Sequence, residues 1–412
     1  MQIWLINSYG SIPGESWRDS RFSMIANALT GAGHDVVWWT SNFSHHSKCF
    51  RSDDWEDVRI NEKFIVRLVP TTAYKKNIGM GRIWRDAVFA YRTYARGRQM
   101  LAPDCILYSE TPLTFGYAGQ KLAEFHHCPV VFDQIDLWLE LFEKLFPPGI
   151  RSIVHFLLWP LYKNRKCIYG QLNGVMGLAE AYLEVPLQAA PVLRSRPHEV
   201  VYNGIDVKLF RQLISDPAPV KGLVPLKNKG EIWAVFAGSL GPSYDIQTIL
   251  KAAEIVNREL PDLKIFMAGD GPLKVKIVEY TREKHHANFH YLGKLEPKVL
   301  CSLYGMCDIG LCAYTKISNV EMPDKIYDYA AAGLPVINSL AGEVRDLIIK
   351  NRIGLQYEGG NAESLVNALK QLATNRSLLR EMATNSFKIG PQYDQRVQYA
   401  KCVALIEKFN NR

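Results

Sequence analysis

The sequence predicts an α/β protein of two Rossmann-like domains, each wound on its own parallel sheet. Short apolar strands alternate with amphipathic helical stretches from end to end, the pattern of repeated βαβ units. The alternation is broken once, by the Pro/Gly/Lys-rich stretch "SDPAPVKGLVPLKNKG" (215–230), and a second series starts directly after it. A chain of 412 residues also exceeds what one ordinary core organises.

In order, the first half offers the strands "IWLINSY", "DVVWWTS", "FIVRLVP", "DCILYSE", "PVVFDQI", "GVMGLA" and "EVVYNGI". The second half offers "IWAVFAG", "LKIFMAG", "FHYLG", "IGLCAYT", "LPVINSL" and "IGLQYE". Most are near-continuous runs of β-branched and aromatic residues, as expected of strands covered by helices on both sides. The last segment, "QYDQRVQYAKCVALIEKFNNR", reads as an amphipathic helix with Val397, Val403, Ala404, Ile406 and Phe409 inward.

Composition narrows the function classes. The longest apolar run, "IVHFLLWPLY" (153–162), is interrupted by His155 and Pro160 and falls short of the ~20 residues of a membrane-spanning helix. The start, "MQIWLINSYG", reads as a first strand and not as a secretory leader. Eight scattered cysteines form no CxxC pair and no zinc spacing, so they read as buried thiols in a reducing compartment. "HHSK" (45–48) and "HHC" (126–128) read as loop histidines. The net charge of +8 is concentrated in Lys75, Lys76, Arg82, Arg85, Arg92, Arg96 and Arg98, opposed by Asp86. The spacing of Arg85, Arg92 and Arg96 puts them on one helical face, either solvated or set against an anionic surface.

Two strand–glycine–helix transitions stand out. "IWAVFAG" opens into "SLGPSYDIQTIL", where Gly238 and Gly241 permit tight turns and Asp245 can cap the next helix. "IFMAG" opens into "DGPLKVKI", where Gly269 and Gly271 bracket Asp270. Free amides at such helix starts favour an anion or a polar ligand. Further on, "EMPDKIYDYAAAGLPVI" (321–337) gathers Glu321, Asp324, Lys325 and Asp328 around one helix start before a buried strand.

The ordered series "FAGSL", "MAGDGP", "YLGKL", "CDIGLCAY" and "PDKIYDYAAAGLPVI" resembles the nucleotide-sugar domain of retaining glycosyltransferases of family 4. "GAGHDVVWWTS", "DQIDLWLE" and "VYNGIDVKLF" extend the resemblance, more loosely, over the first half. It is most similar to the bacterial surface-polysaccharide branch, which includes O-antigen, lipopolysaccharide and capsule assembly. The resemblance implies a GT-B fold of two facing Rossmann-like domains: an acceptor-binding domain over 1–205, a nucleotide-sugar-binding domain over 206–390, and a helix over 391–412 returning to the first. It implies transfer of a hexose from a UDP- or GDP-sugar to a lipid-diphosphate-linked or other saccharide acceptor, with retention of configuration. The departing phosphate would take the acceptor's proton. Neither cofactor nor metal is expected, and no nucleic acid. The location implied is cytoplasmic, peripheral to the inner face of the cell membrane, with the stretches 75–98 and 153–162 on an anionic lipid surface.

The resemblance also assigns residues. Counting back from Gly333, the second acid of the family's Glu-x7-Glu motif falls on Asp328, which would hold the ribose hydroxyls. The first falls on Val320, with Glu321 one residue late, and backbone groups around Met322 and Pro323 would meet the hexose. The family's diphosphate Arg and Lys positions are Ser239 and Tyr244 here. A diphosphate leaving group needs a cation, so Lys325 takes that role, with Arg21 as the other choice. Gly14, Gly269, Asp270, Gly271 and Lys294 complete the donor set. Glu15, Trp17, Arg18 and Arg21 are acceptor candidates, and Glu110 and Asp136 join Lys325 as catalytic candidates. Two alternatives share the fold: a non-catalytic partner that has lost the cation pair, and a nucleotide-sugar 2-epimerase. A dehydrogenase is disfavoured by "SYGSIPGES" in place of GxGxxG after the first strand.

Overall fold

The computed structural model describes residues 1–75, 79–109, 115–144, 146–284 and 286–410. The chain divides into two compact units, Met1–Asn203 with Arg396–Arg412, and Gly204–Gln395. The divisions fall at 203/204 and 395/396.

The first unit holds an eight-stranded sheet: β1 (Gln2–Ile6), β2 (Asp35–Ser41), β3 (Glu56–Arg59), β4 (Phe64–Val69), β5 (Cys105–Ser109), β6 (Val130–Gln134), β7 (Gly174–Gly177) and β8 (His198–Val200). Their order is β3-β4-β2-β1-β5-β6-β7-β8, with β3 antiparallel to β4 and every other pairing parallel. Alternate residues of β1 feed two cores. Ile3 and Leu5 join Val36, Trp38 and Leu107, whereas Trp4 and Ile6 join Trp39, Ile106 and Phe132 on the other side. That double burial explains why the strands read as continuous apolar runs. The strand the sequence reading missed, β3, is "EDVR" at the sheet edge. Its Asp57 pairs with Arg67 of β4 at 2.6 Å, so charge and edge position replace apolar patterning.

The second unit carries β9 (Ile232–Ala237), β10 (Leu263–Ala268), β11 (Phe289–Tyr291), β12 (Ile309–Cys312), β13 (Val336–Asn338) and β14 (Gly354–Gln356), all parallel, in the order β11-β10-β9-β12-β13-β14. Ile232, Ala234 and Phe236 of β9 point into one core with Ile249, Ile265 and Leu369. On its other side Trp233 meets Phe266 with ring centroids 4.4 Å apart.

Two local expectations change, and the 215–230 stretch finds its place. The last helix, Gln395–Glu407, buries Gln398, Tyr399, Cys402, Leu405 and Ile406 against the first unit's core, while Val397 and Ala404 point outward. The 215–230 stretch, which breaks the alternation, packs onto the second unit: Ser302 donates to the Asp216 carbonyl at 2.6 Å, and Lys227 Nζ lies 2.6 Å from Asp308. In the basic helix Met80–Gly97, Arg85 is fully buried, bonded to Ser8 Oγ at 2.7 Å and paired with Asp86 at 3.2 Å, so it leaves the basic surface. Among the described residues no helix is long and apolar enough to cross a membrane.

Candidate functional site

In the second unit the chain runs outward from β9 to β10 and β11 on one side, and from β12 to β13 and β14 on the other. The carboxyl ends of β9 and β12 therefore form the switch point where open α/β sheets bind ligands. The two glycine turns lie there, interlocked. Gly238 N donates to Ala268 O at 3.0 Å, Leu240 N to Asp270 O at 2.9 Å, and Leu273 N to Leu240 O at 2.9 Å. Gly269 has φ +146°, and a Cβ there would stand 1.8 Å from the Gly238 carbonyl oxygen. Close approach of two backbones is thus what demands glycine at 269.

Lys325 enters this switch point from the helix Asp324–Ala332, which starts at Pro323 and ends on Gly333 with φ +71°. Its side chain is 7% exposed. The ammonium lies 4.2 Å from the ring centre of Tyr244, 5.1 Å from Phe236 and 5.5 Å from Tyr314. A Cβ on Gly238 would come within 2.5 Å of Nζ. Lys325 has no ion-pair or hydrogen-bond partner among the described residues, so aromatic faces compensate its charge and leave its hydrogens for a ligand. One cation therefore occupies the space beside Ser239 and Tyr244. Asp328, three residues on and buried, shares this side of the helix.

Other candidates are engaged elsewhere. Glu321 Oε2 accepts from Glu343 N at 3.1 Å, closing the start of the helix Glu343–Asn351. A Cβ on Gly342 (φ +73°) would strike that oxygen at 2.2 Å. Met322 and Pro323 are buried beside it; Ser239 and Lys294 are exposed. Asp270 is exposed, accepts from Gly271 N at 2.8 Å and faces Lys274 at 3.6 Å. A Cβ on Gly271 would meet Leu240 O at 2.8 Å. Asp245 does not cap its helix through a backbone amide. It accepts from Thr248 Oγ1 at 2.6 Å, Tyr357 OH at 3.1 Å and Gly360 N at 2.8 Å, tying the β9 loop to the segment after β14.

In the first unit the switch point lies between β1 and β5, where Asn7 Nδ2 donates to Ser109 Oγ at 2.7 Å. Glu110 lies outside the described residues. Arg21 grips both Asp133 oxygens at 2.7 and 2.8 Å and donates to Val201 O at 2.6 Å. Its guanidinium is thus consumed within the fold. Glu15 accepts two bonds from Arg51, at 2.6 and 2.7 Å, which fastens the loop carrying Gly14 (φ +88°). Trp17 is exposed, with Arg18 5.2 Å from its ring centre. Asp136 stands at the rim of an apolar cavity after β6; its own surface is open, yet crowding by protein atoms pushes its carboxyl up to about 6, against the pull of Arg82.

The sequence reading missed a cluster beside β1. Tyr9 OH donates to Asp86 at 2.6 Å and receives Arg82 Nε at 2.8 Å, while Arg85 lies 4.3 Å from the Tyr9 ring centre. The density of arginines in 82–98 was the available signal, but it does not reveal which of them turn inward.

Residues 224–389 match the family model described as glycosyl transferases group 1. Chitobiosyldiphosphodolichol beta-mannosyltransferase of Candida glabrata is 28% identical over 177 residues, covering 40% of this chain and 38% of that protein. The Eremothecium gossypii protein of the same name is 26% identical over 220 residues, covering 50% and 46%. The matched segments thus span less than half the length of these relatives. Among solved structures, sucrose-phosphate synthase from Thermosynechococcus elongatus superposes with a TM-score of 0.70 at 15% identity, over 99% of both chains. Anabaena HepE in complex with UDP gives 0.69 at 14%, over 100% of both. WaaG, a glycosyltransferase involved in lipopolysaccharide biosynthesis, gives 0.64 at 15%, over 98% of this chain and 99% of that one. The fold is GT-B, α/β with two Rossmann-like parallel sheets.

Proposed function

We propose that this protein is a glycosyltransferase that takes a hexose from a nucleoside-diphosphate sugar and delivers it to a lipid-diphosphate-linked saccharide. The observation that carries the reading is Lys325, a buried ammonium held on three aromatic rings at the β9/β12 switch point without a carboxylate partner among the described residues. A site built this way suits a diphosphate that gains charge as the sugar departs. Asp328 would accept the ribose hydroxyls, and the amides of the interlocked glycine turns would add donors. The group 1 match over 224–389 and the HepE neighbour solved with UDP support a nucleotide donor. The relatives named for a diphosphodolichol substrate support a lipid-linked acceptor, and WaaG supports a place in surface-polysaccharide synthesis. The protein would work at the cytoplasmic face of a membrane.

Retention is the proposed stereochemical course, from the resemblance to family 4. A second course has its own support, because the curated relatives are named beta-mannosyltransferases. From an α-linked donor a β product requires inversion, and a carboxylate must then take the acceptor's proton. Asp136, pushed up to about 6, suits that task. The test is to incubate the purified chain with UDP- and GDP-sugars. Stabilisation by one donor, and release of its nucleoside diphosphate only when a lipid-linked saccharide is added, are expected. No stabilisation by any donor would overturn the reading. The anomeric proton coupling of the product separates the two courses.

A further inference from the structure

Within the first unit an apolar cavity of about 580 Å³ opens beyond β6. It is walled by Ile83, Trp138, Phe142, Phe146, Leu157 and Leu161. Its volume lies within the ordinary range for a small-molecule site. Leu157, in the helix Arg151–Gln171, is 69% exposed and Phe156 beside it 77%. A monomeric fold gains nothing from apolar side chains held open at a cavity mouth.

Polar groups line it only at Gln134, Asp136, Tyr169 and Arg165, the last held by Glu140 at 2.6 Å, and a further cation, Arg82, backs the Trp138 wall. Arg82 lies 4.4 Å from the ring centre of Trp138, a cavity wall, and 4.7 Å from that of Tyr9. Beyond Tyr9 come Arg85 and then Tyr74, with Lys48 Nζ 4.2 Å from the Tyr74 ring centre. Three cations, Lys48, Arg82 and Arg85, thus share a short aromatic ladder with two carboxyls, Asp86 and Asp136. Asp86 is already paired with Arg85 at 3.2 Å, and crowding by protein atoms raises the Asp136 carboxyl. Burial and then these same cations hold His45 down at about 4, and burial with Arg82 and Arg85 depresses Lys48. With Arg85 paired to Asp86 and Arg165 to Glu140, Arg82 and Lys48 exceed the remaining carboxyl, Asp136, by one charge.

We infer that this cavity and its Arg82–Lys48 edge form a binding site for a single-chain lipid phosphate or diphosphate, with the hydrocarbon chain between Trp138, Phe142 and Leu157 and the phosphate on Arg82. The charge complementarity chooses this occupant: an apolar slot alone would take any hydrocarbon, and a basic edge alone any anion. This rests on the proposed lipid-linked acceptor and gives it a place in the first unit, apart from the donor residues.

The test is calorimetric titration of the full chain with farnesyl diphosphate, farnesol and inorganic pyrophosphate. Farnesyl diphosphate is expected to bind at least tenfold tighter than either half. Arg82→Met should cut its affinity about tenfold and leave farnesol unchanged. Leu157→Asp, at an exposed position, should weaken farnesyl diphosphate and farnesol but not pyrophosphate. Both variants should keep the wild-type thermal midpoint and its shift with donor sugar. Equal binding of farnesol and farnesyl diphosphate overturns the inference, as does pyrophosphate binding as tightly as the lipid, or wild-type affinity in both variants. If lipid binding fails while donor sugars still stabilise the chain, only this inference falls. If donors fail and the lipid binds, the transferase reading falls and the lipid site stands.

Discussion

Replacing Lys325 by Met separates charge from packing at the switch point. Methionine keeps the side chain's length, and its thioether still makes favourable contacts with Phe236, Tyr244 and Tyr314. Removing the ammonium forfeits cation–π attraction of up to ~2 kcal/mol, but a buried cation with no carboxylate partner among the described residues also ceases to cost desolvation. The two offset, so the thermal midpoint without ligand should barely move. Ligand binding should change sharply. A charge-assisted hydrogen bond to phosphate contributes about 1.5–3 kcal/mol, which weakens nucleoside diphosphate roughly 10- to 150-fold. At a concentration of about 100 Kd, that ligand stabilises the wild type by ~2.7 kcal/mol; a variant binding about 100-fold more weakly gains only ~0.4 kcal/mol. The transfer rate should fall further, by roughly 10²–10³, if the ammonium meets the charge that develops on the leaving group. Thermal shift with the diphosphate and with the matching uncharged nucleoside is the deciding assay. The nucleoside should stabilise both proteins equally. If the variant keeps wild-type affinity for the diphosphate, or loses nucleoside in the same proportion, Lys325 is not the diphosphate cation.

Three other substitutions test the remaining assignments. Arg21→Met strands the fully buried Asp133 carboxylate and should lower unfolding free energy by about 3–5 kcal/mol in urea titration; unchanged stability with lost transfer would return Arg21 to the site. Glu321→Gln weakens the cap on the helix Glu343–Asn351 and should cost about 0.5–2 kcal/mol of stability while leaving donor affinity intact. A loss of donor affinity instead would mean that Glu321 contacts the sugar. Asp136 titrates near 4 in an unfolded chain but at about 6 in the fold, so its proton favours folding. That contribution is complete below pH ~4 and gone once pH has risen through 6. Asp136→Asn should therefore gain stability relative to wild type above pH 6, and a pH-independent difference would refute the shifted carboxyl.

Much of the fold was legible because strands buried on both sides advertise themselves in consecutive residues, as β2 and β9 do. β3 escaped because an edge strand held by Arg67 and Asp57 needs no apolar run. The helix start that carries Lys325 and Asp328 was legible through a local acidic and small-residue pattern. The engagement of Glu321 and Arg21 was not legible, because it depends on Glu343 and Asp133, 22 and 112 residues away along the chain.

The amino-acid order alone determined the two βαβ series, the glycine turns after β9 and β10, and the helix that starts at Pro323, because each is set by contacts within a few residues. Tertiary packing decided which charges are spent on ion pairs within the fold and which are not. Arg85 and Arg21 turned inward to carboxylates, whereas Lys325 reached the β9 turn and, among the described residues, lies against aromatic rings without a counter-charge. A side chain's charge is a local property, but its counter-charge comes from wherever the sheet brings the rest of the chain.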